Sequence, residues 1–168
     1  LKGNDRLARA IAGQVFRETN HRRRLQWVEV LGQLDPEGSA EVLRKIVSED
    51  RSQTIRLTAL KALSEIRDKD FIAAAGEFWK KSSPSGKLSV LELLAPTADR
   101  KARELVSEAG VDPDEKPARR AGKIFTDLTG RPLEVKLPVK PELADAVTKH
   151  LLEWLRATDK PLLADRTE

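Results

Sequence analysis

The chain contains no cysteine, methionine or tyrosine among its 168 residues. The absence of cysteine excludes disulfide bonds, thiolate catalysis and metal sites built on sulfur ligands. Aromatic residues are scarce at 4%, and no run of about 18 apolar residues occurs, so the sequence predicts no membrane-spanning helix. No signal peptide is recognisable. Because the chain begins at Leu1 and lacks methionine, we expect a processed protein or a fragment of a longer one, and the compartment stays open between the cytoplasm and an exported or periplasmic location.

Catalytic and cofactor motifs are also missing. The two histidines, His21 and His150, are far apart in the sequence and belong to no HExxH pair of metal ligands. There is no phosphate-binding loop, no GxGxxG motif and no nucleophile elbow. Charged residues make up 35% of the chain, but acids on a highly charged surface are ordinarily solvated. We therefore predict that the protein is not an enzyme and needs no cofactor, metal or small-molecule substrate.

The chain is instead organised around a helical hairpin. Residues Thr54 to Ile66 carry leucine and isoleucine at every third position, which predicts an amphipathic helix. A second helical pattern runs from Asp70 to Lys81 after a short turn. Since one hairpin cannot bury its own apolar stripe, further copies are expected in the chain.

Both halves of the hairpin recur at a spacing of 31 to 34 residues. The apolar set of the first helix, in chain order, is Leu25, Val28, Leu31 and Leu34; Leu57, Leu60, Leu63 and Ile66; Leu88, Leu91 and Leu94; and, more loosely, Ala121, Ile124 and Leu128. The set of the second helix is Ala40, Leu43 and Val47; Phe71, Ala74 and Phe78; and Ala102, Leu105 and Ala109. The sequence therefore predicts three full hairpins and a fourth partial one.

A charged pattern accompanies the apolar one. A basic residue precedes the stripe in each copy, at Arg24, Arg56, Lys87 and Arg120, and six positions earlier stand Glu18, Asp50, Lys81 and Asp114. This pattern resembles the short bacterial form of the HEAT-repeat family, whose units read as an acid, a short turn, Val-Arg or Ile-Arg, and an Ala/Leu-rich helix. The resemblance covers roughly residues 20 to 130 and implies a ladder of acid to arginine pairs. Lys81 and Lys87 depart from the family pattern and predict an interruption there.

The predicted fold is an all-α solenoid of HEAT-like hairpins with a C-terminal capping helix. We expect the repeat array over residues 1–130, an extended proline-containing connector over 131–141, the capping helix over 142–157 and a frayed tail over 158–168. Asp35 with Pro36, and Asp112 with Pro113, fit the N-cap and first residue of a helix. The first helical pattern, Asp5 to Phe16, is interpreted either as a closing helix or as the second half of a unit that has been cut away.

The resemblance implies a scaffold or adaptor, because most members of the family act in that way. In such arrays the second helices line the concave side, where this chain mixes charges of both signs and so favours a protein partner. The candidate contact residues there are Arg44, Lys45, Lys80, Arg100 and Arg103.

The alternative prediction is nucleic-acid binding through the N-terminal segment, in the manner of HEAT-like DNA glycosylases. The first 34 residues carry seven basic and three acidic side chains. Their net charge of +4 equals the net charge of the whole chain. Arg22 and Arg23 are the candidate contacts, whereas Arg24 matches the basic position of the repeat. Base stacking would need exposed aromatic residues, but we expect the three tryptophans, Trp27, Trp79 and Trp154, to pack in the core.

Overall fold

The computed structural model describes residues 2–34, 36–96 and 100–129, together with Lys149 and Glu153. Within these residues the chain forms eight helices and no strand, so the prediction of an all-α fold is confirmed. The helices are α1 (Lys2–Arg17), α2 (His21–Gln33), α3 (Pro36–Glu49), α4 (Gln53–Glu65), α5 (Phe71–Lys80), α6 (Pro84–Leu94), α7 (Arg100–Gly110) and α8 (Glu115–Thr129).

The predicted connector 131–141 and tail 158–168 lie outside the described residues. So does the predicted capping helix 142–157, apart from Lys149 and Glu153, which are both helical. The chain divides into two compact units, residues 1–82 and residues 83–168.

Three of the helices begin with the same capping device. The side-chain oxygens of Asn20, Ser52 and Ser83 accept hydrogen bonds from the backbone N–H groups three residues later, over 3.1, 3.4 and 3.4 Å respectively. Each cap satisfies an N–H group that has no partner inside its helix and typically contributes about 1 kcal/mol. The caps are separated by 32 and 31 residues, so the helix starts follow the same spacing as the apolar stripes.

In the first unit, α2 and α4 pack against each other, and α3 contacts both of them as well as α1 and α5. Among residues 6–17 of α1, the buried side chains are Ala8, Ile11 and Val15. They stand 32 residues before the buried Ala40, Leu43 and Val47 of α3. The buried residues of α1 therefore share the register of those of α3.

A close approach joins α2 to α4. A Cβ atom placed on Gly32 would lie 2.8 Å from the Cβ atom of Ala62. Real Cβ atoms do not approach so closely, so glycine at this position allows the two helices to pack together.

Helix α4 ends in a left-handed residue. Arg67 has a φ of 54°, and the N–H of Asp68 donates to the carbonyl of Leu63 over 3.0 Å. This geometry is that of a Schellman C-cap, a position that glycine usually occupies.

The second unit contains α6, α7 and α8, which contact one another. Its core is made of apolar side chains from all three helices, namely Val90, Leu91, Leu94, Ala102, Val106, Ala109, Ala118, Ala121 and Ile124. The predicted N-cap at Asp112 with Pro113 as first residue is wrong, because α8 begins at Glu115. The carboxylate of Asp112 is buried and instead accepts a hydrogen bond from the N–H of Asp114 over 2.9 Å. The other predicted N-cap, Asp35, lies outside the described residues.

Candidate functional site

The charged pattern of the repeat forms internal ion pairs. In the first unit the guanidinium of Arg24 pairs with the carboxylate of Asp50 and also donates to the carbonyl of Val15 over 3.2 Å. In the second unit the Nζ atom of Lys87 lies 2.6 Å from Oδ2 of Asp112. In both pairs the cation lies on the first helix of a hairpin, and it pairs with an acid 25 or 26 residues later in the sequence.

Each acid of these pairs also closes its own turn. Asp50 accepts a hydrogen bond from the N–H of Ser52 over 2.8 Å, just as Asp112 accepts one from Asp114. The carboxylates of Asp50 and Asp112 are buried, and a buried charge needs such partners. These side chains hold the fold together and are not available to a ligand.

Arg56, the basic residue of the pattern between Arg24 and Lys87, has no acidic partner within the described residues, because Lys81 stands at the acidic position of the sequence. Arg56 donates to the carbonyl of Lys81 over 3.1 Å and to the carbonyl of Asp50 over 3.5 Å, and its guanidinium lies 5.6 Å from the centroid of the Phe78 ring. A backbone carbonyl thus replaces the carboxylate where the sequence has Lys81. The cation–acid pairing resumes at Lys87, although with Asp112 and not with Asp114.

Of the residues predicted as contacts on the second helices, Arg44, Lys45 and Lys80 have partners inside the first unit. Arg44 lies 2.6 Å from Asp68 and 3.3 Å from Asp70, and it is half-buried where the sequence predicted an exposed side chain. Lys45 lies 3.9 Å from Glu49 and 5.5 Å from the centroid of the Phe16 ring.

Lys80 is the third of these residues. It donates to Glu77 over 3.0 Å, and this hydrogen bond, with the charge of Lys80, lowers the pKa of the Glu77 carboxyl. In the second unit Arg103 is half-buried on α7. Arg100 begins the same helix, and its side chain lies outside the described part of the chain.

Arg22 and Arg23, the candidates for nucleic-acid contact, are both exposed in the first turn of α2. Arg23 lies 3.8 Å from Glu18, whereas Arg22 forms no ion pair within the described residues.

Sequence reasoning missed a cleft between α1 and α2. It has a volume of about 460 Å³ and is lined by Gln14, Glu18, Arg23, Gln26, Trp27 and Val30. The 32-residue spacing of the hairpins contains a sequence signal for this cleft. Trp27 and Val30 stand 32 residues before Ala59 and Ala62, which are both buried, so two large apolar side chains at these positions are the feature that marks the cleft.

The two helices that form this cleft also carry exposed apolar side chains, of which Val30 lines the cleft itself. Of the described large apolar side chains, those clearly exposed are Leu7 at 47%, Phe16 at 43% and Val30 at 37%, all on α1 or α2. Leu7 lies on the stripe of α1 that includes Gln14, because seven residues make nearly two helical turns. An exposed apolar residue such as Val30 that lines a cleft indicates a binding surface more strongly than a scattered one does.

The tryptophans divide between core and surface. Trp79 is buried beside Phe78 in α5, as expected for core packing. Trp27 is half-buried in the cleft, and Trp154 lies outside the described residues.

The described residues contain no cluster of three or more His, Asp or Glu side chains suited to a metal ion. Nor does any helix among them combine the length and the apolar character that crossing a membrane requires. Comparisons of the chain with protein-family models, with curated proteins and with solved structures returned no match.

Proposed function

We propose that this protein is a non-catalytic protein-binding module built from HEAT-like helical hairpins, which presents the surface of α1 and α2 to its partner. The observation that carries the proposal is that the exposed large apolar side chains of the described residues all lie on these two helices, with Val30 and the half-buried Trp27 in the cleft. Helical-repeat proteins commonly use such extended surfaces for recognition.

The charge of the surface supports a protein partner. Glu18, which follows the last residue of α1, and Arg23, in the first turn of α2, line the cleft together with Trp27, Val30 and two glutamines. A centre of aromatic and aliphatic side chains inside a polar rim is typical of protein interfaces. The cations of the second helices contribute less, because Arg44 in particular is held by internal ion pairs.

Site-specific photo-cross-linking tests the proposal. A benzophenone amino acid is placed at Val30 in the cleft or at Lys61, an exposed position of α4 that serves as the matched control. In native cell extract we expect the Val30 probe to capture a defined protein that the Lys61 probe does not capture. Equal labelling from both positions would contradict the proposal.

Nucleic-acid binding is the second candidate function, and the observation in its favour is the exposure of Arg17 and Arg22, neither of which forms an ion pair among the described residues. Binding of a fluorescent duplex and a fluorescent single strand is measured by anisotropy at about 50 and 200 mM salt, since phosphate contacts weaken steeply with salt. Salt-sensitive binding that is lost in Arg22→Ala/Arg23→Ala and kept in Lys61→Ala would replace the proposal with this candidate.

A further inference from the structure

Arg56 occupies the basic position of the repeat without the acid that its counterparts have. Two of those counterparts, Arg24 and Lys87, pair with buried carboxylates. At the acidic position that belongs to Arg56 the chain has Lys81, and Arg56 donates to backbone carbonyls instead. The Nε atom of Arg56 is buried and has no hydrogen-bond partner among the described residues. The guanidinium of Arg56 therefore lacks an ion pair in the part of the chain that the structure describes.

Two further cations adjoin Arg56. Arg51 directly follows Asp50, whose carbonyl accepts from Arg56 over 3.5 Å, and Lys81 supplies the carbonyl that accepts from Arg56 over 3.1 Å. The Nζ atom of Lys81 donates to the carbonyl of Ser48 over 3.3 Å. The side chains of Arg51 and Lys81 are exposed, and neither forms an ion pair within the described ranges. Arg51, Arg56 and Lys81 thus form a cation cluster at the turn before α4 and the end of α5.

The acids at the adjoining helix ends do not neutralise this cluster. Glu49, the last residue of α3, lies 3.9 Å from the Nζ atom of Lys45. Glu77, in the last turn of α5, accepts a hydrogen bond from Lys80 over 3.0 Å. The carboxylate of Asp50 is buried in the ion pair described above. Over residues 2–34, 36–96 and 100–129, the cation cluster therefore carries three positive charges without a paired acid.

The repeat itself indicates which anion fits the cluster. The other two cations of the pattern bind carboxylates, and an arginine guanidinium matches the planar, two-oxygen geometry of that group. The exposed neighbours of Arg51 in the sequence, Ser48, Glu49 and Thr54, are polar, and Glu49 adds a negative charge. A continuous phosphate backbone needs an uninterrupted basic track. Separate carboxylates of a protein therefore suit this surface better than a nucleic acid does.

We infer that the cation cluster of Arg51, Arg56 and Lys81 binds an acidic segment of the partner protein, which supplies the carboxylate that the repeat lacks at Lys81. This inference rests on the proposed protein-binding function and adds a second contact of defined charge. None of the three residues lines the cleft between α1 and α2. Opposite charges at an interface increase the rate of encounter and select the partner.

A fluorescently labelled peptide of about six glutamate residues is the probe, because its carboxylates represent the inferred ligand. The peptide is titrated with the intact protein, and binding is followed by anisotropy at about 50 mM salt, where charge attraction is only partly screened. We expect saturable binding that weakens at least about tenfold in Lys81→Glu. This substitution returns an acid to the acidic position of the repeat, so it should pair with Arg56 internally, and the thermal midpoint should stay the same or rise.

Lys61→Glu is the matched control, because it makes the same change of charge at an exposed position of α4. It should leave the affinity for the peptide within about twofold of the unchanged protein, since screening limits the reach of a distant charge. Should Lys81→Glu fail to fold by circular dichroism, Arg51→Glu at an exposed position of the same cluster provides a second variant with the same expected loss.

Several outcomes would overturn the inference. One is absence of saturable binding, or equal losses in Lys81→Glu and Lys61→Glu. Another is a single-stranded oligonucleotide of equal charge that binds more tightly than the peptide and depends on Lys81, since the ligand would then be a nucleic acid. A third is a carbodiimide cross-link within the monomer from Lys81 to an acid of residues 130–168, because the chain would then supply its own carboxylate.

The photo-cross-linking experiment separates this inference from the proposed function. If the Val30 probe captures a partner equally well with and without Lys81→Glu, and the peptide does not bind, the protein-binding function stands and the role of the cation cluster is refuted.

Discussion

Replacement of Asp50 by alanine should be among the most damaging single changes in the first unit. The Asp50 side chain is fully buried and accepts hydrogen bonds from the N–H of Ser52, over 2.8 Å, and from the guanidinium of Arg24. Truncation leaves the N–H group and a largely buried cation without this acceptor. Breaking a buried pair by removing one partner typically costs about 3–5 kcal/mol, because the remaining charge is uncompensated.

Two further variants separate the contributions. Asp50→Asn keeps an oxygen that can accept from Ser52 and removes the charge that holds Arg24, so we expect a smaller loss of about 1–3 kcal/mol. Glu49→Ala, at the neighbouring position, removes only an exposed pair with Lys45 at 3.9 Å and should change the free energy of unfolding by less than about 0.5 kcal/mol.

Urea unfolding followed by circular dichroism measures these differences, and a thermal shift of roughly 2–4 °C per kcal/mol is expected for a chain of this size. The double variant Arg24→Ala/Asp50→Ala should lose less than the sum of the single losses, since the two side chains interact directly. If Asp50→Ala costs less than about 1 kcal/mol, or if the double variant is strictly additive, the ion pair does not stabilise the unit in the way we describe.

Three further predictions concern single positions. Gly32→Ala should destabilise the protein by about 1–3 kcal/mol because its Cβ would clash across the helix contact, whereas Gly13→Ala, with open space around it, should stabilise by about 0.5–1 kcal/mol; equal effects in urea unfolding would contradict this. Arg67→Gly should raise the thermal midpoint slightly, by the equivalent of up to about 1 kcal/mol, since glycine has no Cβ to strain in the left-handed region. Lys80→Ala should raise the pKa of Glu77 toward its ordinary value in an NMR titration, because the hydrogen bond and charge that lower it are removed. A lowered carboxyl pKa favours the folded state above the unfolded pKa, and that contribution is lost as the pH falls through the folded value.

The repeat register was predictable from the sequence because apolar stripes and helix caps obey local rules. The spacing that relates Leu57 to Leu25 also relates Ser52 to Asn20, and the structure places a helix start at each cap. Leu7, however, is as apolar as the buried Ile11, so hydrophobic periodicity alone does not distinguish the exposed residue from the buried one.

The candidate site was not predictable in the same way, because burial and pairing depend on residues distant in the sequence. Arg44 meets Asp68 at a separation of 24 residues, so its side chain could not be recognised as internally paired from its own helix. Likewise, the charge pattern predicted Asp114 as the acid of its repeat, but Asp112 has that role. The carboxylate of Asp112 accepts hydrogen bonds both from the N–H of Asp114, which closes the turn before α8, and from Lys87.

The carboxylate of Asp50 forms bonds with residues of two successive hairpins. It fixes the turn that leads into α4 through Ser52, and it anchors α2 through Arg24. Unfolding of either hairpin therefore breaks an interaction of the same carboxylate. This strengthens the coupling between the two hairpins relative to the stability of each hairpin alone. Amide hydrogens of α2 and α4 should therefore exchange with solvent in one cooperative opening event, and the first unit should behave as a single unit of local unfolding.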